Sequence, residues 1–224
     1  MGPVSTAEFY REIIRQCQKQ YGAKYDEDYP EIFIYNLPIP DVVEGLKTPE
    51  KTLDVLVNGA RKLASLDIDF MTIPCNTVQY FYEDIQAKLS VPLLNIIKES
   101  AKKLKSLGYS KISLLATETT IKTKLYEKIF SELGITLFPP QNQSTVTRII
   151  LNILAGKRTT SDKNDLLQII SELKEQGAEA VLLGCTDLSF FLDEQDSSLP
   201  IYDSTIILAE MTVKYAITQT KQIK

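Results

Sequence analysis

The chain of 224 residues holds 44% apolar and 24% charged residues, enough apolar material for one or two compact domains with a real buried core. It contains no histidine and no tryptophan, which excludes a Ser-His-Asp triad, a Cys-His dyad and any imidazole metal site or proton shuttle. With 25 basic against 29 acidic residues and no basic cluster, nucleic acid is not an expected partner.

The opening Met1-Gly2-Pro3-Val4-Ser5-Thr6 fits the loose myristoylation pattern, but the proline and the lack of a polybasic second anchor argue against lipidation. No run of 18 apolar residues and no charged-then-apolar leader occurs, so neither a membrane span nor an export signal is expected, and the expected location is cytoplasmic. Ser5 followed by Glu8 predicts a capping box, and Phe9, Ile13, Ile14 and Cys17 then recur at helical spacing. Residues 31–37 read as a strand ending in a Pro38/Pro40 loop. Thr48-Pro49 starts a helix with apolar residues at 53, 56, 57, 60, 63 and 64. A strand is expected at 68–74, a helix at 77–89 and an apolar strand segment within 91–97. The second half predicts a helix at 98–107, a strand at 111–116, a helix to Leu133 and a strand at 135–138. Helices at 144–155 and 161–176 and a strand at 179–183 follow. Such alternation predicts an α/β fold of mainly parallel sheets with helices on both faces.

The two halves echo each other. The segment from Asp69 to Cys75-Asn76-Thr77 parallels that from Glu179 to Cys185-Thr186-Asp187, with the cysteines 110 residues apart and a proline, Pro92 or Pro200, opening a short strand after each. That is the pattern of a duplicated α/β domain.

Three cysteines without Cys-x-x-Cys spacing make neither a structural zinc site nor a disulfide framework, and read as free thiols. Cys17, on the apolar face of the first helix, reads as core. Cys75 and Cys185 lie where a strand hands over to a helix, beyond the carboxyl ends of the sheet, where α/β folds bind ligands. Asn76-Thr77 and Thr186-Asp187 are short polar residues suited to cap the next helix, whose N-H groups suit a carboxylate and lower a thiol pKa toward neutrality. A lone strand-end cysteine is ordinarily packing; two in equivalent positions point instead to chemistry. If the domains face each other, one thiolate takes a proton from one face of a carbon and the other thiol returns one to the opposite face.

Ile73-Pro74-Cys75-Asn76-Thr77 and Leu183-Gly184-Cys185-Thr186-Asp187, with Leu114-Leu115-Ala116-Thr117 and Asp203-Ser204, resemble the motifs of the cofactor-independent aspartate/glutamate racemases. The resemblance runs nearly end to end. It implies two similar flavodoxin-like domains related by a pseudo-two-fold axis, residues 1–97 plus 205–224 and residues 98–204, with the active site in the cleft between them. It further implies catalysis by Cys75 and Cys185, an amino-acid substrate bound by Asn76, Thr77, Thr120 and Thr186, aspartate as the default, no cofactor and no metal, and a homodimer.

Four departures stand out. The family's opening strand, which runs into Gly-Gly-Met-Gly-Pro, is missing ahead of Met1-Gly2-Pro3, a sign of a misplaced start or a truncation, and its loss should expose a sheet edge. Gln79 stands where the family's first motif commonly ends in histidine, and Asp187 where glutamate is usual. Val42 and Leu154 fall where aspartate-specific relatives place basic residues, although Arg148, Lys47 or Lys157 could reach the site instead. Tyr126 reads as a core ring. Besides aspartate racemisation, three readings stay open: racemisation or epimerisation of a non-acidic amino acid, a small-carboxylate binding module without turnover, and a thiol redox sensor.

Overall fold

The computed structural model describes residues 2–192, 195 and 197–222. Two parallel sheets organise it. The smaller pairs β1 (Met71–Thr72) with β2 (Leu93–Leu94). The larger contains β3 (Lys111–Ala116), β4 (Thr136–Phe138), β5 (Ala180–Gly184) and β6 (Ile201–Asp203), in the order β4-β3-β5-β6. Both central strands are buried along nearly their whole length, as expected for parallel strands covered on two faces.

The period-two alternation of β3 and β5 decides which helix lies on which face. Ile112, Leu114, Ala116, Ala180 and Leu182 pack with residues of α1 (Pro3–Tyr21), α4 (Ile96–Ser106) and α9 (Ser204–Gln222). Leu115, Val181, Leu183 and Cys185 pack on the other side with α7 (Gln143–Leu154) and α8 (Thr160–Glu175). A separate core joins α2 (Pro49–Ala64), β1 and β2 through Leu56, Ala60, Met71, Ile85 and Leu93. Cys17 is buried in the first of these cores, as its helical position predicts.

Several local expectations are corrected. Residues 31–37 form no strand. A strand exists only through its ladder, and here a cavity of about 420 Å³ is lined both by residues 30–35 and by residues 67–74, leaving Phe33, Ile34 and Tyr35 exposed. No capping box opens α1: Pro3 occupies its first turn, and buried Ser5 points its hydroxyl elsewhere. The helix expected at 77–89 is a 3-10 turn, Thr77–Phe81, running into α3 (Tyr82–Gln86). The helix expected up to Leu133 divides into α5 (Glu118–Lys122) and α6 (Glu127–Glu132), because Lys124 adopts φ 53°, a left-handed backbone that ends a right-handed helix.

Candidate active site

Cys75 follows β1, and Cys185 follows β5. Both thiols line one cleft of about 290 Å³ together with Asn76, Thr77, Thr117, Thr186 and Asp187. That volume is near the lower end of small-ligand pockets, roughly 300–1,000 Å³. The strand-to-turn junctions of two separate parallel sheets thus converge, the place where such sheets bind ligands.

Five of the six site residues expected from sequence line the cleft: Cys75, Cys185, Asn76, Thr77 and Thr186. Thr120 does not. It stands behind the wall, where its hydroxyl lies 3.3 Å from that of Thr77 and 2.9 Å from that of Thr117, while Thr77 and Thr117 are 2.9 Å apart. Thr117 reaches the cleft in its place. Its role as N-cap of α5, with its hydroxyl accepting from the Thr120 N-H, was the available signal.

The polar residues after each cysteine do not cap the following turn. The Asn76 side-chain amide donates to Ser204 Oγ at 3.0 Å, Ser204 Oγ donates to the Leu183 carbonyl at 2.7 Å, and the Tyr126 hydroxyl donates to Asn76 Oδ1. Tyr126 is fully buried, as expected of a core ring, but its hydroxyl makes it a brace for Asn76 that sequence reasoning missed. Gln79 donates to the Cys75 carbonyl at 3.2 Å, so at this position glutamine steadies the turn carrying the thiol.

Asp187 ties the first helix to the turn that carries Cys185. Its Oδ1 accepts the Ser5 hydroxyl at 2.8 Å, and its Oδ2 lies 3.7 Å from Cys185 Sγ. The expectation that helix ends lower both thiol pKa values is corrected. Burial raises Cys75, with backbone N-H groups of Val78 and Thr77 opposing it and the Asp187 carboxylate adding to it. Burial raises Cys185 strongly, and Asp187 raises it further. The turns that follow are too short to offset desolvation of a buried thiolate.

Val42 and Leu154 both reach this cleft, whereas Lys47, Lys157 and Arg148 do not line it. Arg148 is instead paired with Asp162 and, at 2.6 Å, with Asp165. Among the described residues no group of three or more His, Cys, Asp or Glu side chains gathers as a metal site, and no helix is long and apolar enough to cross a membrane.

Residues 1–212 match the family described as Asp/Glu/Hydantoin racemase. The broad specificity amino-acid racemase RacX of Bacillus subtilis (strain 168) is 34% identical over 213 residues, covering 95% of this chain and 93% of that protein. Among solved structures, the Picrophilus torridus aspartate racemase superposes with a TM-score of 0.82 at 27% identity, over 96% of this chain and 90% of its own. An aspartate racemase homologue from Pyrococcus horikoshii OT3 gives a TM-score of 0.78 at 28% identity, over 96% and 94%.

Proposed function

Because this chain belongs to the Asp/Glu/hydantoin racemase family, we propose that it interconverts L- and D-amino acids with Cys75 and Cys185 as the two proton-transfer groups. The observation that carries the reading is their placement in one cleft, each at the end of a strand from a different sheet. The β1–β2 sheet and the four-stranded sheet would then each contribute one thiol.

The step balances without a further reactant. One cysteine, as thiolate, takes the α-hydrogen as a proton; the C–H bond breaks, an S–H bond forms, and the electron pair passes into the substrate carboxylate. The opposite thiol then gives its proton to the other face of the carbon, leaving a thiolate and the inverted centre. Thr77, Thr117 and Thr186, together with the backbone N-H groups after each cysteine, supply donors for the carboxylate as charge grows on it. The roles reverse for the opposite enantiomer. Asp187, in contact with Cys185 and acting on Cys75 only through its charge, makes the two halves chemically unequal: it is placed to receive the Cys185 proton and so generate that thiolate.

This backbone-directed chemistry is common to all α-amino acids. Aspartate, the default that the resemblance implies, would also need a cation for its second carboxylate. The test is incubation of the protein with L-amino acids in deuterated water, reading solvent deuterium at the α-carbon, beside Cys75→Ser and Cys185→Ser. Exchange abolished or made one-sided by either substitution supports the reading. Exchange unaffected by both, or absent with every amino acid, would overturn it.

A further inference from the structure

We propose that the cleft selects a non-acidic amino acid with an aliphatic side chain, a deepening that rests on the racemase reading above. The cleft has two chemically distinct linings. Cys75, Cys185 and their polar neighbours occupy one; Pro38, Ile39, Pro40, Val42, Val43 and Leu154 make the other. With the reacting α-carbon held by the first, the second is left for the side chain.

Charge argues in the same direction. The charged residues among those lining the cleft are Asp41 and Asp187, both acidic, and no lysine or arginine joins them. A substrate side-chain carboxylate entering here would lose hydration, gain no lysine or arginine partner and meet like charge. Arg148 is committed elsewhere, to Asp162 and Asp165, and Lys47 and Lys157 are exposed residues that do not line the cleft.

Leu154 supplies an independent observation. It is 47% exposed at the end of α7 although it lines the cleft, so a bound aliphatic chain would cover apolar surface now facing water. Val42, by contrast, is already buried at 7% exposure. The wall is also held in place. Thr119 Oγ1 on α5 donates to the Val43 carbonyl at 3.1 Å, and the Asp41 carboxylate accepts the Val43 and Glu44 N-H groups at 3.2 and 3.4 Å. A loop braced on both sides loses little freedom when a ligand packs against it.

Calorimetric titration and α-deuterium exchange with L-leucine, L-methionine, L-aspartate and L-glutamate test the proposal. Leucine or methionine should bind and exchange at least about tenfold better than either acidic amino acid, a ratio of the size one hydrophobic contact gives. Val42→Arg and Leu154→Arg should shift that ratio toward aspartate by a similar factor. Equal or better binding of aspartate or glutamate by the unmodified chain would overturn the proposal, as would binding of none of the four. Leucine binding without any exchange would uphold the side-chain assignment while overturning the racemase reading. Exchange that favours aspartate would do the reverse.

Discussion

The Ser5 hydroxyl donates a 2.8 Å hydrogen bond to the carboxylate of Asp187, linking the first helix to the turn that carries Cys185 across 182 residues of sequence. Ser5 is buried, so the bond fixes the rotamer from which Asp187 addresses the thiol. A hydrogen bond to a charged group contributes about 1.5–3 kcal/mol. Ser5→Ala should therefore lower kcat/KM by about tenfold or more, to the same extent for both enantiomers because racemisation has an equilibrium constant of one, while α-deuterium exchange slows most for the enantiomer that Cys185 deprotonates. Racemisation rates together with solvent-deuterium exchange from each enantiomer check this; equal loss of exchange from both would indicate a general loss of structure.

Because burial raises both thiols, and Asp187 raises Cys185 further, the resting protein near neutrality holds protonated cysteines. The base form grows with pH, so kcat/KM should climb through neutrality and fall only when the proton-donating thiol is lost as well. The sign for stability is fixed by the same shifts. A thiol whose folded pKa lies above its unfolded value of about 8.5 contributes stability below that pH and loses it as pH rises through the folded value. The urea midpoint should decline on the alkaline side. Asp187→Asn removes the like charge and should move Cys185 alkylation by iodoacetamide to lower pH, while slowing turnover. Alkylation moved to lower pH with turnover unchanged would argue against Asp187 as the group that receives the proton.

Much of this architecture is legible in the residues. The strand at 111–116 and the helix from Pro49 follow directly from apolar periodicity and proline position, and the paired cysteine motifs located the cleft. What stayed hidden depends on partners distant in sequence. Residues 31–37 carry strand-like alternation, but a strand needs a neighbour, and periodicity cannot report a cavity in that place. Asn76 has the composition of a cap, but buried acceptors and donors from Tyr126 and Ser204 claim its amide first. The upward direction of both thiol pKa values is not legible in sequence, because a helix end is visible there and burial is not. Thr120 lies one helical turn from Thr117, the threonine that lines the cleft, and hydrogen-bonds to it.

Tyr126 and Gly184 form one packing unit behind Asn76. Tyr126→Phe leaves Asn76 Oδ1 without the buried donor it now has, an expected loss of about 1–3 kcal/mol. Gly184 offers a second probe: a Cβ there would fall 2.6 Å from Leu114 Cδ1, 3.2 Å from Ala116 Cβ and 3.3 Å from the Tyr126 hydroxyl. Gly184→Ala should thus destabilise by about 1–3 kcal/mol and loosen the same brace. Urea denaturation gives both values. If Asn76 works through its fixed position, the two variants should lower kcat for a common substrate while the Ala and Phe changes at exposed tyrosines leave it unaltered.

Arg148 separates structural from substrate-directed charge. Its guanidinium bridges Asp162, which is buried, and Asp165, which is exposed; Arg148 and the donors from Thr159 and Asn152 hold the Asp162 carboxyl below its usual pKa against the opposing effect of burial. Arg148→Gln leaves that carboxylate with weaker partners. The cost should be about 1–3 kcal/mol, less than for a fully enclosed pair because half of the arginine side chain is in water. Since the folded pKa of Asp162 is depressed, its stabilising contribution is present above the unfolded value of about 3.9 and fades as pH falls through the folded one. The variant should consequently lose less stability than the unmodified chain between neutral and acid pH. Its preference among amino acids should not move, because Arg148 does not line the cleft. A changed leucine-to-aspartate ratio in the exchange assay, with the fold intact by circular dichroism, would place this arginine in substrate recognition after all.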